Sequence, residues 1–319
     1  MPRFRVRRGR AIAFALLPLT VLTAATTIAL TQSSAAQTTA EPARVKASKP
    51  VVKIGKRVVL SGRFEGSPDA PVQIQRKAPG TNRWRNASRA RTGAGGWYRV
   101  RRAPRRTWQW RVLLMPAGLR ATSAVEAERR AVHRTGPARV KVRSEVRARV
   151  VRRHVVAGEK TRIAGRVRPR GRRKVVIRAA GRKETTRSGK KGRFATKLRV
   201  PMTGVHEVRV RAAGDRRALG SRARAGRVTG YRPVGASYYG PGFYGRRTAC
   251  GHTLTPSTEG TAHRTLPCGT KLRLRHGGRT ATVRVIDRGP YHGGRELDLT
   301  YATKRRLGFG STGTVLMSR

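Results

Sequence analysis

Between residues 37 and 232 the chain repeats itself, and that repeat constrains the fold more than any other feature. Gly55-x6-Gly62-Arg63-Phe64 recurs as Gly158-x6-Gly165-Arg166-Val167. Val72-Gln73-Ile74-Gln75 returns at the same offset as Val175-Val176-Ile177-Arg178, and Gly96-Trp97-Tyr98 is echoed by Gly192-Arg193-Phe194. Several short strands per copy, separated by glycine turns, predict two tandem β-sandwich-like units of about 90 to 100 residues. They are placed at 37–130 and 131–215. The following stretch, 216–234, is rich in Arg, Gly and Ala and is expected to be a linker.

Within these units the pattern has period two, as half-buried strands require. Trp108, Trp110, Val112 and Leu114 share one face, as do Val208 and Val210, while Arg111, Arg209 and Arg211 fall between them. One sheet face is therefore expected to be apolar and the other covered with guanidinium groups. The chain carries 74 Lys+Arg against 14 Asp+Glu, a formal net charge of +60. Such a field attracts polyanions and weakens with salt. Base recognition wants aromatics interleaved with the cations, and few occur between Trp110 and Tyr231, so specific nucleic-acid binding is not expected. The units read either as anchors to anionic cell-wall polymers or as a spacer whose arginine reflects a GC-rich genome.

The N-terminus indicates where the chain works. Arg3, Arg5, Arg7, Arg8 and Arg10 precede an uncharged apolar run, Ala11 to Leu30, and Ser34-Ala35-Ala36 offers small residues for cleavage before Gln37. Residues 1–36 are expected to be a signal peptide. An uncleaved anchor is the alternative, since about 20 apolar residues span a bilayer. Both place the body outside the cytoplasm, secreted or wall-associated.

The last 85 residues differ from the rest. Leu272 and Leu274, a His276-Gly277-Gly278 turn, then Ala281, Val283 and Val285 read as a hairpin. Thr300 to Leu307 reads as a short helix stopped by Gly308. Through this stretch run Ala236-Ser237-Tyr238-Tyr239-Gly240, Thr248-Ala249, Thr261-Ala262-His263-Arg264-Thr265-Leu266-Pro267, Gly269-Thr270, Asp287-Arg288-Gly289-Pro290, Asp298-Leu299 and Leu307-Gly308.

In that order these motifs resemble the rare-lipoprotein-A (RlpA) domain, over residues 235–319. The resemblance implies a six-stranded double-psi β-barrel, the barrel type also found in expansins, and peptidoglycan glycan strands as ligand. Some members are lytic transglycosylases, which leave 1,6-anhydro-muramic acid ends. That reaction uses the sugar's own C6 hydroxyl as nucleophile, so one carboxyl serves as acid and then base, and neither a cofactor nor a metal is expected. The resemblance assigns the carboxyl role to Asp287, with His263 sharing the site. Asp298 also matches a family position, although an acid just before Thr300 would equally favour a helix N-terminus. Tyr239 and Tyr291 are candidate sugar platforms, and Arg288 a candidate carboxylate binder.

Two departures from the family pattern stand out. Many enzymatic members carry Thr-Ala-Asn-Gly-Glu where this chain has Thr248-Ala249-Cys250-Gly251-His252, so His252 replaces an acid expected near the substrate. Cys250 and Cys268 replace the usual residues beside the cleft, and outside the cell they are expected to form a disulfide. The alternative function is a non-catalytic, expansin-like wall-binding module.

Overall fold

The computed structural model describes residues 43–319, and the expected signal peptide lies outside them. The protein is mainly β. Among the described residues no helix is long and apolar enough to cross a membrane.

The first stretch of chain builds two facing sheets. Lys46–Ala47, Val58–Arg63 and Trp97–Arg102 form one; the other orders Val51–Lys53, Ala138–Arg143, Trp108–Leu114, Pro71–Lys77 and Arg85–Arg91. Leu60, Ile74, Tyr98, Trp110, Val112 and Val140 fill the space between them. The next stretch of chain also forms two sheets. Glu145–Val150, Lys160–Arg168 and Arg193–Arg199 face a sheet containing Arg182–Arg187, Lys174–Ala179 and Gly204–Ala212, over a core of Ile163, Val175, Ile177, Leu198, Val208 and Val210.

In each core a strand glycine lies under a cross-strand aromatic. Gly62 pairs with Tyr98 and Gly165 with Phe194. A Cβ on Gly62 would sit 2.3 Å from the Tyr98 hydroxyl, and one on Gly165 2.4 Å from the Arg147 carbonyl and 2.5 Å from the Phe194 ring. Gly165→Ala is therefore expected to cost about 1–3 kcal/mol by overpacking, read as a lowered denaturation midpoint.

Arg111 departs from the expected outer carpet of arginines. Its side chain is only 8% exposed, because the short helix Ala124–Arg130 covers that face. Nη1 donates to Glu128 Oε1 at 2.9 Å and Nε to Gln75 Oε1 at 2.9 Å, while Nη2 lies 2.9 Å from Glu128 Oε2 as an ion-pair contact without a hydrogen bond. The Trp84 ring lies 4.2 Å from the guanidinium carbon. A buried guanidinium persists when a carboxylate balances its charge in this way.

The segment expected to be a linker is instead strand. Ser221–Tyr239 runs for 19 residues, pairing first with Gly204–Ala212 and then with Thr312–Ser318 and Leu297–Thr300. Arg222 and Arg224 are exposed while Ala225, Val228, Tyr231 and Val234 are buried. The period-two signal was present, but alanine supplied its inward positions and the composition read as flexible.

From this long strand the C-terminal sheet runs through Leu297–Thr300, Thr261–Ala262, Arg279–Asp287, Lys271–His276 and Thr312–Ser318. The last of these pairs back onto the long strand, so the sheet closes on itself. Closure leaves Leu272, Leu274, Val283, Val285, Leu297, Leu299 and Val315 in one interior. The hairpin turns at Gly277-Gly278, where φ is +53° and +87°, the left-handed pair a two-residue turn requires. The helix Tyr301–Leu307 is capped by the Thr300 hydroxyl and ends at Gly308 in the left-handed conformation.

Candidate active site

Three short strand ends bring the acidic residues together. Ala262 is the register partner of Asp298 on one side and of Asp287 on the other, and Ser237 is the partner of Asp298 across the next strand. The two aspartates thus sit at one mouth of the closed sheet, two strand spacings or about 10 Å apart at the backbone.

Their surroundings differ. Asp287 Oδ1 accepts from the N–H of Ala249 and of Arg288, both at 2.8 Å. These two backbone donors fix the position of the carboxyl. Asp298 is half-buried, and its Oδ1 is shielded from solvent with no hydrogen-bond partner among the described residues. Burial raises its pKa above the ordinary carboxylate value; the Ser237 hydroxyl and Arg295 oppose that rise, and the negative charge of Asp287 adds to it. Asp298 is thus held toward its protonated form, and Asp287 beside it is held in place by two backbone donors.

Tyr239 projects into the same place. Its hydroxyl is buried and faces the Asp287 carboxylate; burial, then the charge of Asp287 and a hydrogen-bonding contact with it, and then the charge of Asp298 push its pKa well up. It stays a neutral donor at any ordinary pH. The ring meets Phe243 edge-on at 6.2 Å, and Phe243 is half exposed. Tyr291 is 69% exposed, immediately after Gly289-Pro290 at the same rim.

His263 faces elsewhere. Its backbone N–H donates to the Asp287 carbonyl at 3.1 Å, but its ring does not meet the Asp287 carboxylate. Nδ1 accepts from the N–H of Thr265 and Leu266 at 3.1 and 3.0 Å, which leaves the proton on Nε2, 3.3 Å from Glu296 Oε1. Glu296 in turn holds Arg232 in a two-pronged pair, one contact being 2.6 Å. Hydrogen bonds from Arg232 and His263 hold its pKa below the usual range. Sequence reasoning missed Glu296; its only signal was an acid two residues before Asp298.

The remaining candidates divide. Arg288 Nη1 donates to the carbonyls of Leu266 and His263 at 3.0 and 3.4 Å, so it ties the 263–270 loop to the end of the Arg279–Asp287 strand. His252 is exposed, and its ring has no partner among the described residues. Cys250 and Cys268 are joined, with Cα atoms 5.7 Å apart. Both legs of the bridge rest on the strand that delivers Asp287: Cys250 donates its N–H to Ile286 O and Gly269 donates to Val285 O. Closing a separation of 18 residues stabilises by about 3 kcal/mol on the chain-entropy scale. A Cys250→Ser/Cys268→Ser variant is expected to lose that much in urea denaturation, and the native protein to show no thiol reactive to a labelling reagent.

The family and sequence comparisons match the C-terminal region. Residues 233–318 match the family described as "Lytic transglycolase". The relatives include a "Probable endolytic peptidoglycan transglycosylase RlpA" of Synechocystis, 46% identical over 80 residues, covering 24% of this chain and 25% of that protein. Another, from Aquifex aeolicus, is 45% identical over 82 residues, covering 25% of this chain and 36% of that protein. The "Endolytic peptidoglycan transglycosylase RlpA" of Pseudomonas aeruginosa is 42% identical over 87 residues, covering 26% of each. The C-terminal domain is an RlpA-like double-psi β-barrel. The chain spans only a quarter to about a third of the length of these curated relatives, and the two preceding units lie outside the match.

Proposed function

We propose that this protein is an extracytoplasmic peptidoglycan lytic transglycosylase, built as two β-sandwich repeats at 37–130 and 131–215, a joining segment at 216–234 and a six-stranded barrel at 235–319. The observation that carries the reading is the carboxyl pair: Asp298, half-buried with an unpartnered oxygen, beside Asp287, anchored by two N–H groups. A carboxyl raised by burial, set beside a second carboxyl fixed by backbone donors, offers a general acid with a partner at the same mouth.

In this reading the proton moves from Asp298 to the glycosidic oxygen as the C1–O bond breaks. Asp287 stabilises the positive charge that develops on the sugar. The C6 hydroxyl oxygen then bonds to C1, and its proton returns to the Asp298 carboxylate, so the acid is regenerated and no water is consumed. The resemblance had given the proton to Asp287; the surroundings of the two residues support exchanging those roles. Tyr239 would donate to a substrate oxygen, Tyr291 would stack on a sugar ring, and His263, held by Glu296, would keep the 263–266 loop in place. Arg288 would act through the same loop.

The relatives' names support peptidoglycan as substrate, and the basic units support contact with anionic wall polymers. A second reading, glycan binding without cleavage, draws on His252, exposed where many enzymatic members carry an acid. Incubation with peptide-stripped glycan strands, followed by mass spectrometry, separates the two. New 1,6-anhydro ends are expected; retention of glycan with no new ends would leave only the binding module.

A further inference from the structure

The second unit's exposed sheet face sets cations directly opposite one another. Arg209 is the register partner of both Arg178 and Arg224, Arg211 of Arg222, and Lys183 of Arg178. Like charges facing each other across strands oppose sheet formation, so this arrangement works against folding rather than for it. Glu207 relieves one row, pairing with Arg209 at 2.8 Å and Arg224 at 2.7 Å. Among the described residues Arg211 and Arg222 have no carboxylate partner.

That pair also stands where two grooves meet. One groove, about 710 Å³, runs over the sheet face, and the other, about 990 Å³, runs past Lys53, Arg143, Arg147 and Arg168; Arg211 and Arg222 line both. Twelve cationic side chains line the two together, with Glu145 as the one carboxylate, itself 2.6 Å from Arg147. The floor at the junction is tied down: Ser144 donates its N–H to Leu219 O at 2.9 Å, and its hydroxyl bonds that of Ser221 at 2.9 Å.

We propose that this continuous groove is a binding site for a linear phosphodiester polymer without bases, such as a polyol phosphate. The proposal rests on the reading of the basic units as holders of anionic wall polymers, and gives that reading a site and a ligand class. Rows of guanidinium groups lie about 4.8 Å apart across strands and about 6.7 Å along them. This grid suits a polymer with a charge on every short repeat, and is too dense for glycan carboxylates set one to a disaccharide. Guanidinium forks match phosphate oxygens two at a time. No aromatic side chain lines either groove, so stacking, the usual handle on single-stranded nucleic acid, has no platform.

The test uses the full chain, end-labelled polyglycerol phosphate, oligothymidylate with as many phosphates, and a polyuronate of similar length, with fluorescence anisotropy across a salt series. Polyglycerol phosphate is expected to bind tightest. Arg211→Gln/Arg222→Gln should weaken it about tenfold and lower the slope of log K against log salt by about 1–2. Arg99→Gln/Arg101→Gln, which removes two exposed arginines from a different sheet, should change it less than twofold. Equal losses in the two variants would mean a diffuse field and overturn the groove. Tighter binding of oligothymidylate would overturn the base-free assignment. Equal binding of the polyuronate would overturn the phosphate assignment while leaving the broader reading intact, and binding of none of the three would remove both.

Discussion

Asp298→Asn should eliminate the production of 1,6-anhydro ends, by a factor of about 10²–10⁴ in kcat, while glycan binding stays within a few-fold. That range is what general acid–base catalysis by one group supplies. Asparagine keeps the shape and removes only the transferable proton. The wild-type rate should fall as pH rises, because the active form is the protonated one and burial keeps Asp298 protonated above the ordinary carboxylate value. The stability sign follows from the same shift. A folded-state pKa above the unfolded one stabilises at pH below the unfolded value, and that contribution is lost as pH rises through the folded value. Asp298→Asn should therefore gain stability relative to wild type between acid pH and neutrality, a divergence of stability from activity that marks a functional carboxyl. Asp287→Asn should behave differently: the amide oxygen can still accept from Ala249 and Arg288, so the fold holds, the rate falls through loss of the carboxylate, and the alkaline limb moves to lower pH, because the charge that helps raise the Asp298 pKa is gone. Full activity in Asp298→Asn would return the acid role to Asp287.

The contrast between these two aspartates could not be read from the chain. Asp287 precedes Arg288 and Asp298 precedes Leu299-Thr300, and both matched a family position. What separates them is non-local: Ala249, 38 residues away, donates to one, while Ser237 and Arg295 flank the other. Elements set by local chemistry were legible, namely the Gly277-Gly278 turn, the short helix from about Thr300 and the Gly308 stop. So was the cysteine pair, expected from compartment and placement beside the cleft. The orientation of His263 depends on two loop N–H groups and on Glu296, none of which the sequence marks. The long strand was missed because Ala223 and Ala225 carry its inward positions. Arg111 was misplaced because a helix 13 residues further on, Ala124–Arg130, folds over it. In each case the deciding partner came from tertiary packing.

The second large effect is expected at a buried hydroxyl pair behind the site. Thr300 and Thr303 are 1% and 0% exposed, and both Oγ1 atoms accept from the Gly260 N–H, at 3.1 and 2.9 Å. Both also donate to the Gly260 carbonyl, at 3.2 and 2.9 Å, so they satisfy the two polar groups of one buried peptide position. Gly260 has no room to turn elsewhere, since even a Cβ there would lie 2.4 Å from the Ile286 side chain. Thr300→Val/Thr303→Val keeps the volume and deletes both hydroxyls. The double variant loses a helix N-cap, worth about 1 kcal/mol, and strands a buried N–H, at about 1–3 kcal/mol. A loss of about 2–4 kcal/mol is therefore expected, read as a lower urea midpoint with an unchanged slope. Thr300→Ser, which retains the cap, should cost under 1 kcal/mol. The same hydroxyls join the entry to the Thr261–Ala262 strand to the end of the Leu297–Thr300 strand, and Ala262 lies between Asp287 and Asp298 in register. Anhydro-end formation should accordingly drop in the double variant even at temperatures where it remains folded, and normal activity there would show that the mouth of the barrel keeps its geometry without this anchor.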